Sequence, residues 1–158
     1  MRRALPLTLL LVWACLAVSA TAAVPSGLVG EVVKVVDGDT IHIRFAGRVE
    51  KVRYIGVNTP EVHHPTKGEQ PGGRDAAAVN RALVGGRQVR LEMDVQERDR
   101  YGRLLAYVWV GEMMVNAELV RRGYAQVMTI PPNVRHQQLF VKLQSNARQA
   151  ERGLWRRS

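Results

Sequence analysis

The sequence has little cysteine and phenylalanine, and it contains no long apolar run. One cysteine and two phenylalanines occur in 158 residues, so an internal disulfide cannot form and the fold depends on a packed core. The longest apolar run, Leu9–Val18, is much shorter than the roughly 20 residues that a membrane-spanning helix requires. A disulfide-stapled scaffold is excluded, and a spanning helix is disfavoured.

The first residues have the pattern of a secretory signal peptide. Arg2 and Arg3 precede the apolar run, and Ala20-Thr21-Ala22 provides a small-residue cleavage site. The pattern predicts a cleaved signal at residues 1–22, a single domain at residues 23–158, and export to a periplasm or to the medium. An uncleaved N-terminal anchor and a lipid attached to Cys15 are the alternatives.

The predicted mature domain is basic. Without Arg2 and Arg3 it has 21 basic and 14 acidic residues, which leaves a formal net charge of +7. Such a charge favours an anionic partner, and a phosphate backbone is the obvious one because Lys and Arg contacts release condensed counterions. A GC-rich genome would also produce the observed excess of arginine over lysine, so charge alone does not decide the partner.

The alternation of apolar and polar residues predicts five strands. Asp37-Gly38 and Ala46-Gly47 separate the first three as hairpin turns in which positive φ is tolerated. The fifth strand is apolar on both faces and is therefore predicted to be buried. The five predicted strands are Val29–Val36, Ile41–Phe45, Val49–Val57, residues 89–94 and Leu104–Val110.

Helical spacing of apolar residues predicts three helices, at Arg74–Val84, Asn116–Arg122 and Arg135–Arg152. The third places Leu139, Leu143, Ala147 and Ala150 on one stripe, and Trp109 and Trp155 are expected in the core. This order of elements indicates an α+β fold. It is compatible with a five-stranded OB-type barrel, although the pattern alone does not require one.

Three polar clusters lie where the strand pattern breaks. They are Asp39-Thr40, the stretch from Arg53 to Glu61, and Asp99–Arg103. Phosphodiester hydrolysis needs these residue types, because a cation and guanidinium groups neutralise the charge of the transition state. A carboxylate can orient or deprotonate the attacking water. Each residue also has a structural explanation, such as a turn carboxylate or an Arg103–Asp99 surface pair.

The sequence resembles the thermonuclease (staphylococcal nuclease) family from about Gly30 to Trp155. The matching motifs occur in the family's order, which makes the resemblance specific although each motif alone is weak. The four motifs are Asp37-Gly38-Asp39-Thr40, Arg53 with Asn58-Thr59-Pro60-Glu61, Asp99–Tyr107 and Val115–Gly123.

The resemblance implies a five-stranded OB-fold β-barrel with three α-helices. It also implies a Ca²⁺-dependent endonuclease that cleaves DNA and RNA without sequence specificity and leaves 3′-phosphate ends. We expect a monomer that does not bind a membrane once it is processed. The implied residues are Asp39, Asn58 and the backbone carbonyl of Thr59 for the metal, Arg53, Glu61 and Arg103 for catalysis, and Arg100 and Tyr101 for the nucleotide.

Two departures from the family pattern concern substrate and metal. Asn58 replaces a metal-binding carboxylate, so weaker Ca²⁺ binding or tolerance of Mg²⁺ or Mn²⁺ is expected. The stretch Met128–Pro132 lacks the tyrosines that stack on the nucleotide in the family, which predicts a different substrate affinity or base preference. Adjacent His63 and His64 point apart in an extended chain, which disfavours a joint metal site.

A nucleic-acid-binding barrel without catalysis is the alternative from another functional class. It would be favoured if the acidic and guanidinium positions were lost, but Asp39, Arg53, Glu61 and Arg103 are all present. A peptide- or sugar-binding barrel explains neither the two arginines nor the positive charge. The sequence therefore favours a nuclease.

Overall fold

The computed structural model describes residues 27–62, 66 and 68–156. Several sequence predictions fall elsewhere: the signal peptide and its cleavage site, lipidation at Cys15, and the question of a metal site at His63 and His64. They lie outside the described residues. None of the helices in the described part of the chain has the length and apolar character that crossing a bilayer requires.

The five long strands and the three helices follow the predicted order, and three strands of two residues each were not predicted. The strands are β1 (Leu28–Val35), β2 (Thr40–Phe45), β3 (Arg48–Tyr54), β4 (Val57–Asn58), β5 (Gln88–Glu92), β6 (Leu104–Val110), β7 (Met113–Met114) and β8 (Gln126–Val127). The helices are α1 (Gly73–Val84), α2 (Val115–Arg121) and α3 (Gln137–Gln149), with a final 3₁₀ turn at Gly153–Trp155.

The five long strands form a closed barrel in the order β3-β2-β1-β5-β6. Neighbouring strands run antiparallel, and a parallel pairing of β3 with β6 closes the barrel at Val52–Leu104 and Arg53–Leu105. The predicted five-stranded barrel with three helices is confirmed. Closure leaves neither β3 nor β6 as a long open edge at this seam.

Alternate residues of the strands fill the barrel. Ile41, Ile43, Val52, Leu91 and Val108 are fully buried, and the neighbours of Ile43, Val52 and Leu91 along each strand are more exposed. Burying a side chain of this size contributes about 1.5–3 kcal/mol. The apolar character of β6 on both faces agrees with its burial, as predicted.

Each of the two hairpin turns contains a glycine, and the reason that glycine is needed differs between them. Between β2 and β3, Ala46 (φ 46°) and Gly47 (φ 76°) both have positive φ, as a two-residue type I′ turn requires. Between β1 and β2 the expectation of positive φ is wrong, because neither Asp37 nor Gly38 has it. A Cβ at Gly38 would instead lie 2.7 Å from the Thr59 side chain, so close packing requires glycine there.

The third helix is shorter than predicted, and its buried stripe is different. Phe140 and Ala147 are buried, whereas Leu139 is 42% exposed. Leu139 was placed on the apolar stripe because it lies four residues before Leu143, but Phe140 lies three residues before Leu143 and seven before Ala147, which is also helical spacing, and it is the larger group. The helix ends at Gln149, so Ala150 is an exposed cap residue rather than part of the stripe.

The two tryptophans expected in the core are only half-buried. Trp109 donates its Nε1 proton to Glu92 at 2.9 Å and carries Arg90 over its ring at 4.9 Å. Trp155 lies under Arg148 at 4.3 Å. An indole combines an apolar body with a polar nitrogen, and Trp109 therefore covers the outside of the core instead of filling it.

Candidate active site

A cleft of about 580 Å³ opens at the end of the barrel where β3, β4 and the loop between β5 and β6 meet. The segment after β8 forms its other wall, because β4 pairs with β8 and Met128 N donates to Gly56 O at 2.9 Å. All the predicted site residues line the cleft except Asp39 and Thr59. Those in the lining are Arg53, Asn58, Glu61, Arg100, Tyr101 and Arg103.

Arg53, at the end of β3, is held by acceptors on both terminal nitrogens. Its Nη1 donates to the carbonyl oxygens of Tyr54 and Val57, both at 2.8 Å. Its Nη2 donates to Asn58 Oδ1 at 3.0 Å and lies 3.1 Å from Asp39 Oδ2. A guanidinium fixed in this way is oriented before any ligand arrives, which is the property that stabilisation of a transition state needs.

Asp39 lies behind Arg53 and is almost fully buried. Its Oδ2 accepts the Thr59 backbone proton at 2.7 Å, and its Oδ1 accepts the Thr40 hydroxyl proton at 3.1 Å. Burial raises the pKa of Asp39 to about 6, although the charge of Arg53 acts in the opposite direction. Such a carboxylate in a dry environment gains more from a nearby cation than an exposed one.

The oxygen atoms around Asp39 fit a hard divalent cation. Thr59 Oγ1 is buried without a hydrogen-bond partner among the described residues, and Asn58 contributes an amide oxygen next to Arg53. Oxygen ligands of this kind suit Ca²⁺ or Mg²⁺. Within the described residues no cluster of three or more His, Cys, Asp or Glu could hold a metal. Neutral oxygens would therefore have to complete a set with one carboxylate.

Arg103 is positioned by Asp99 across a tight turn. Asp99 Oδ2 accepts from Arg103 Nε at 2.7 Å, and its Oδ1 accepts the backbone protons of Tyr101 at 2.9 Å and Arg103 at 3.0 Å. Burial opposes ionisation of Asp99, but the hydrogen bonds from Arg103 outweigh it and lower its pKa. No described residue pairs with the two Nη groups of Arg103, so they can serve an anionic ligand.

Tyr101 stands at the rim of the cleft with 68% of its surface exposed. The guanidinium carbons of Arg100 and Arg103 lie 4.9 and 5.5 Å from its ring centroid, within the range of cation–π contacts. The ring therefore connects the two arginines at the rim. The opposite wall contains Met128 and Ile130, and it is aliphatic as the sequence predicted.

Glu61 enters the cleft from the start of the loop that leads to α1. Its backbone is fixed by Gln70, whose Oε1 accepts from Glu61 N at 3.0 Å and whose N donates to Glu61 O at 2.9 Å. A Cβ at Gly73 would lie 2.7 Å from Glu61 O, so glycine at the start of α1 allows this approach. The structure thus brings Glu61 into one cleft with Arg53 and Arg103.

The sequence pattern did not predict two contacts that support the site. Arg98 donates to both Glu50 carboxylate oxygens at 3.1 and 3.2 Å and to Gly102 O at 2.7 Å, which fastens the turn of Arg103 to β3. Asn80, fully buried in α1, accepts from Tyr54 Oη and donates to Asp37 O, both at 2.9 Å. An asparagine on the apolar face of a helix was the available signal for the second contact.

Comparisons with known proteins agree with this geometry. The family model described as Staphylococcal nuclease homologue matches residues 51–157. The chain is 39% identical over 125 residues to a thermonuclease of Staphylococcus hyicus, which covers 79% of this chain and 74% of that protein. It is 40% identical over 124 residues to a thermonuclease of Staphylococcus intermedius, with 78% and 74% covered.

A third relative, the endonuclease YncB of Bacillus subtilis, is 37% identical over 127 residues, which cover 79% of this chain and 60% of the relative. The family model covers the barrel closure and every residue that lines the cleft, but it does not cover Asp39 behind Arg53. The extent of these matches decides the family. The chain belongs to the staphylococcal nuclease homologues and is a nuclease.

Proposed function

We propose that the chain is an exported, metal-dependent endonuclease that hydrolyses phosphodiester bonds of DNA and RNA and leaves 3′-phosphate ends. One observation carries the proposal: two guanidiniums, those of Arg53 and Arg103, and the carboxylate residue Glu61 line the same cleft. Planar guanidiniums match the geometry of a phosphoryl group, and two of them can neutralise charge that develops in the transition state.

Each residue has a distinct role in this proposal. Arg53 and Arg103 bind the scissile phosphate, and the Nη groups of Arg103, which pair with no described residue, strengthen their contacts as charge accumulates on the phosphoryl oxygens. Glu61 orients the attacking water or takes its proton. Asp39, Asn58 and Thr59 would hold the metal, which supplies a positive charge next to the phosphate. Arg100 and Tyr101 contact the nucleotide at the rim.

The same contacts predict how the enzyme selects its substrate. Phosphate contacts carry no sequence information, so cleavage is expected without a recognition sequence. The rate at low substrate should fall steeply as salt rises, because cation release drives the binding of a polyanion. Export to a periplasm or the medium is proposed from the N-terminal pattern.

Incubation of residues 23–158 with plasmid DNA and with RNA tests the proposal. We expect cleavage of both with Ca²⁺ present, less with Mg²⁺ or Mn²⁺, and none with a chelator, and end-group analysis should find 3′-phosphates. Glu61→Gln is the matched inactive control, because it retains size and hydrogen-bonding capacity. Binding without cleavage under all metal conditions would instead support the non-catalytic nucleic-acid-binding module.

A further inference from the structure

Three basic side chains form a row across the outer face of the first three strands. Lys34 of β1 is paired with His42 of β2, and His42 is paired with Lys51 of β3. Residues directly opposite each other in antiparallel strands have Cβ atoms about 4.5–5.5 Å apart, so the row extends about 10 Å. The flanking Ile41 and Ile43 point into the barrel, which fixes the row on the outside.

The positive charge of this row is not neutralised locally. No described carboxylate forms an ion pair with Lys34 or Lys51, whereas Arg44, two residues along β2 from His42, is paired with Glu31 at 2.9 Å. Burial lowers the pKa of His42, and the charges of Lys34 and Lys51 lower it further. The positive charges of both lysines therefore reach the His42 imidazole, and an external anion could bind to them.

The row continues from the cleft. Lys51 and Arg53 lie two residues apart on the same face of β3, a distance of about 6.6 Å along the strand, and their partners on β2 are His42 and Thr40. At the other end, Lys34 and the exposed Arg81 line one shallow depression. A basic track thus leads from Arg53 in the cleft across three strands to the end of α1.

We propose that this outer face binds the phosphate backbone of a polynucleotide beyond the nucleotide in the cleft, through Lys34, His42 and Lys51. The inference rests on the proposed function, since its ligand is a longer part of the same substrate. Continuity with the cleft favours nucleic acid over another polyanion, because one strand can occupy both sites and a lipid surface cannot enter the cleft. Long substrates thereby gain affinity that a dinucleotide lacks.

A charge-matched pair of variants tests the contact. Lys34→Gln/Lys51→Gln removes two charges from the row, and Lys142→Gln/Arg156→Gln removes two from exposed positions outside the cleft and the row. Binding of a long single-stranded oligonucleotide is measured at several salt concentrations with a chelator present. We expect the row variant to reduce the salt slope of log K by about 1.4, or about 0.7 for each lost phosphate contact. Equal reductions in both variants would overturn the proposal.

The imidazole of His42 reports the contact directly. In an NMR titration, a bound long oligonucleotide should raise the pKa of His42 because phosphate offsets the two lysines, while a dinucleotide should leave it unchanged. The resonance is assigned with His42→Gln. An unchanged pKa with the long oligonucleotide, or tighter binding of the row to vesicles containing phosphatidylserine than to the oligonucleotide, would contradict the proposal.

Kinetics separate this inference from the proposed function. We expect the row variant to lose several-fold in kcat/KM on the long oligonucleotide, with unchanged melting temperature and unchanged kcat/KM on a dinucleotide substrate. Equal losses of kcat/KM on both substrates would contradict the proposal that the row binds the longer substrate. If the wild-type protein cleaves neither substrate, the proposed function fails, whereas the salt slope and the His42 titration still decide whether the row binds nucleic acid.

Discussion

Arg53 Nη2 lies 3.1 Å from Asp39 Oδ2, and both side chains are nearly excluded from solvent, with 12% and 6% of their surfaces exposed. Breaking a buried pair by removing one partner leaves an uncompensated charge, which is strongly destabilising. A phosphate at Arg53 and a cation at Asp39 would supply new partners to both groups at once. Binding of substrate and of metal should therefore be mutually favourable.

The first prediction concerns Asn58→Asp. A second carboxylate next to Asp39 should raise Ca²⁺ affinity by about tenfold or more, because affinity follows ligand charge. Repulsion between the two carboxylates in the metal-free protein should be reduced by Arg53, which already contacts Asn58 Oδ1 at 3.0 Å. Calorimetric titration measures the affinity. The same affinity in both proteins would remove Asn58 from the set of metal ligands.

The second prediction is a pH dependence of stability due to Asp39. Its pKa of about 6 in the folded protein exceeds the ordinary value of 3.8, so the folded state retains this proton to a higher pH than the unfolded state. The stabilising contribution is complete at low pH and is lost as pH rises through about 6. With chelator present, the unfolding free energy of wild type should therefore fall relative to Asp39→Asn over this window.

Denaturant unfolding of both proteins at a series of pH values checks this prediction. Added Ca²⁺ should remove the decline, because a cation stabilises the ionised carboxylate. If the unfolding free energy of wild type instead rises with pH relative to Asp39→Asn in the presence of chelator, the charge of Arg53 outweighs burial in setting the pKa of Asp39.

The third prediction is that Arg103→Lys damages turnover far more than folding. An ammonium cannot reproduce the planar, bidentate contacts of a guanidinium, and loss of one preorganised donor costs about 2.7–4 kcal/mol of barrier, or roughly 10²–10³ in kcat. Arg100→Lys at the rim is the control and should have a much smaller effect. Wild-type turnover by a normally melting Arg103→Lys protein would exclude the assigned role.

The fourth prediction concerns the contact between Glu50 and Arg98, which we infer to be a pair of positioning residues. Glu50→Gln weakens the attachment of the Arg103 turn to β3 and should lower kcat several-fold with little change in melting temperature. Glu31→Gln breaks a comparable exposed pair with Arg44 on the same sheet and should leave kcat unchanged. Identical kinetics of the two variants would show that the turn is rigid without Arg98.

The long strands were predictable because their apolar patterns, alternating or continuous, are local. The bounds of Leu104–Val110 agree with the structure residue for residue. The two-residue strands β4 and β8 were not predicted, since a segment of that length has no period, and only tertiary contacts bring residues 57–58 to residues 126–127. The choice of Phe140 over Leu139 for the core likewise depends on the orientation of α3 on the barrel.

The residues of the site were predictable from the sequence, but the contacts that hold them in place were not. The resemblance named the residues that line the cleft, and their assigned roles remain predictions. The contact of Arg98 with Glu50 spans 48 positions in the chain, and that of Asn133 with Gln96 spans 37. Neither has a local pattern, because both depend on how the barrel brings distant loops together.

The parallel pairing of β3 with β6 also makes nuclease activity depend on closure of the barrel. Arg53 lies within this seam, and Arg103 immediately precedes it. Before the seam forms, the two arginines belong to separate parts of the chain and cannot grip one phosphate. Until the barrel closes, the polypeptide would therefore not cleave the nucleic acids of the cell that synthesises it. A partner that delays closure would protect those nucleic acids.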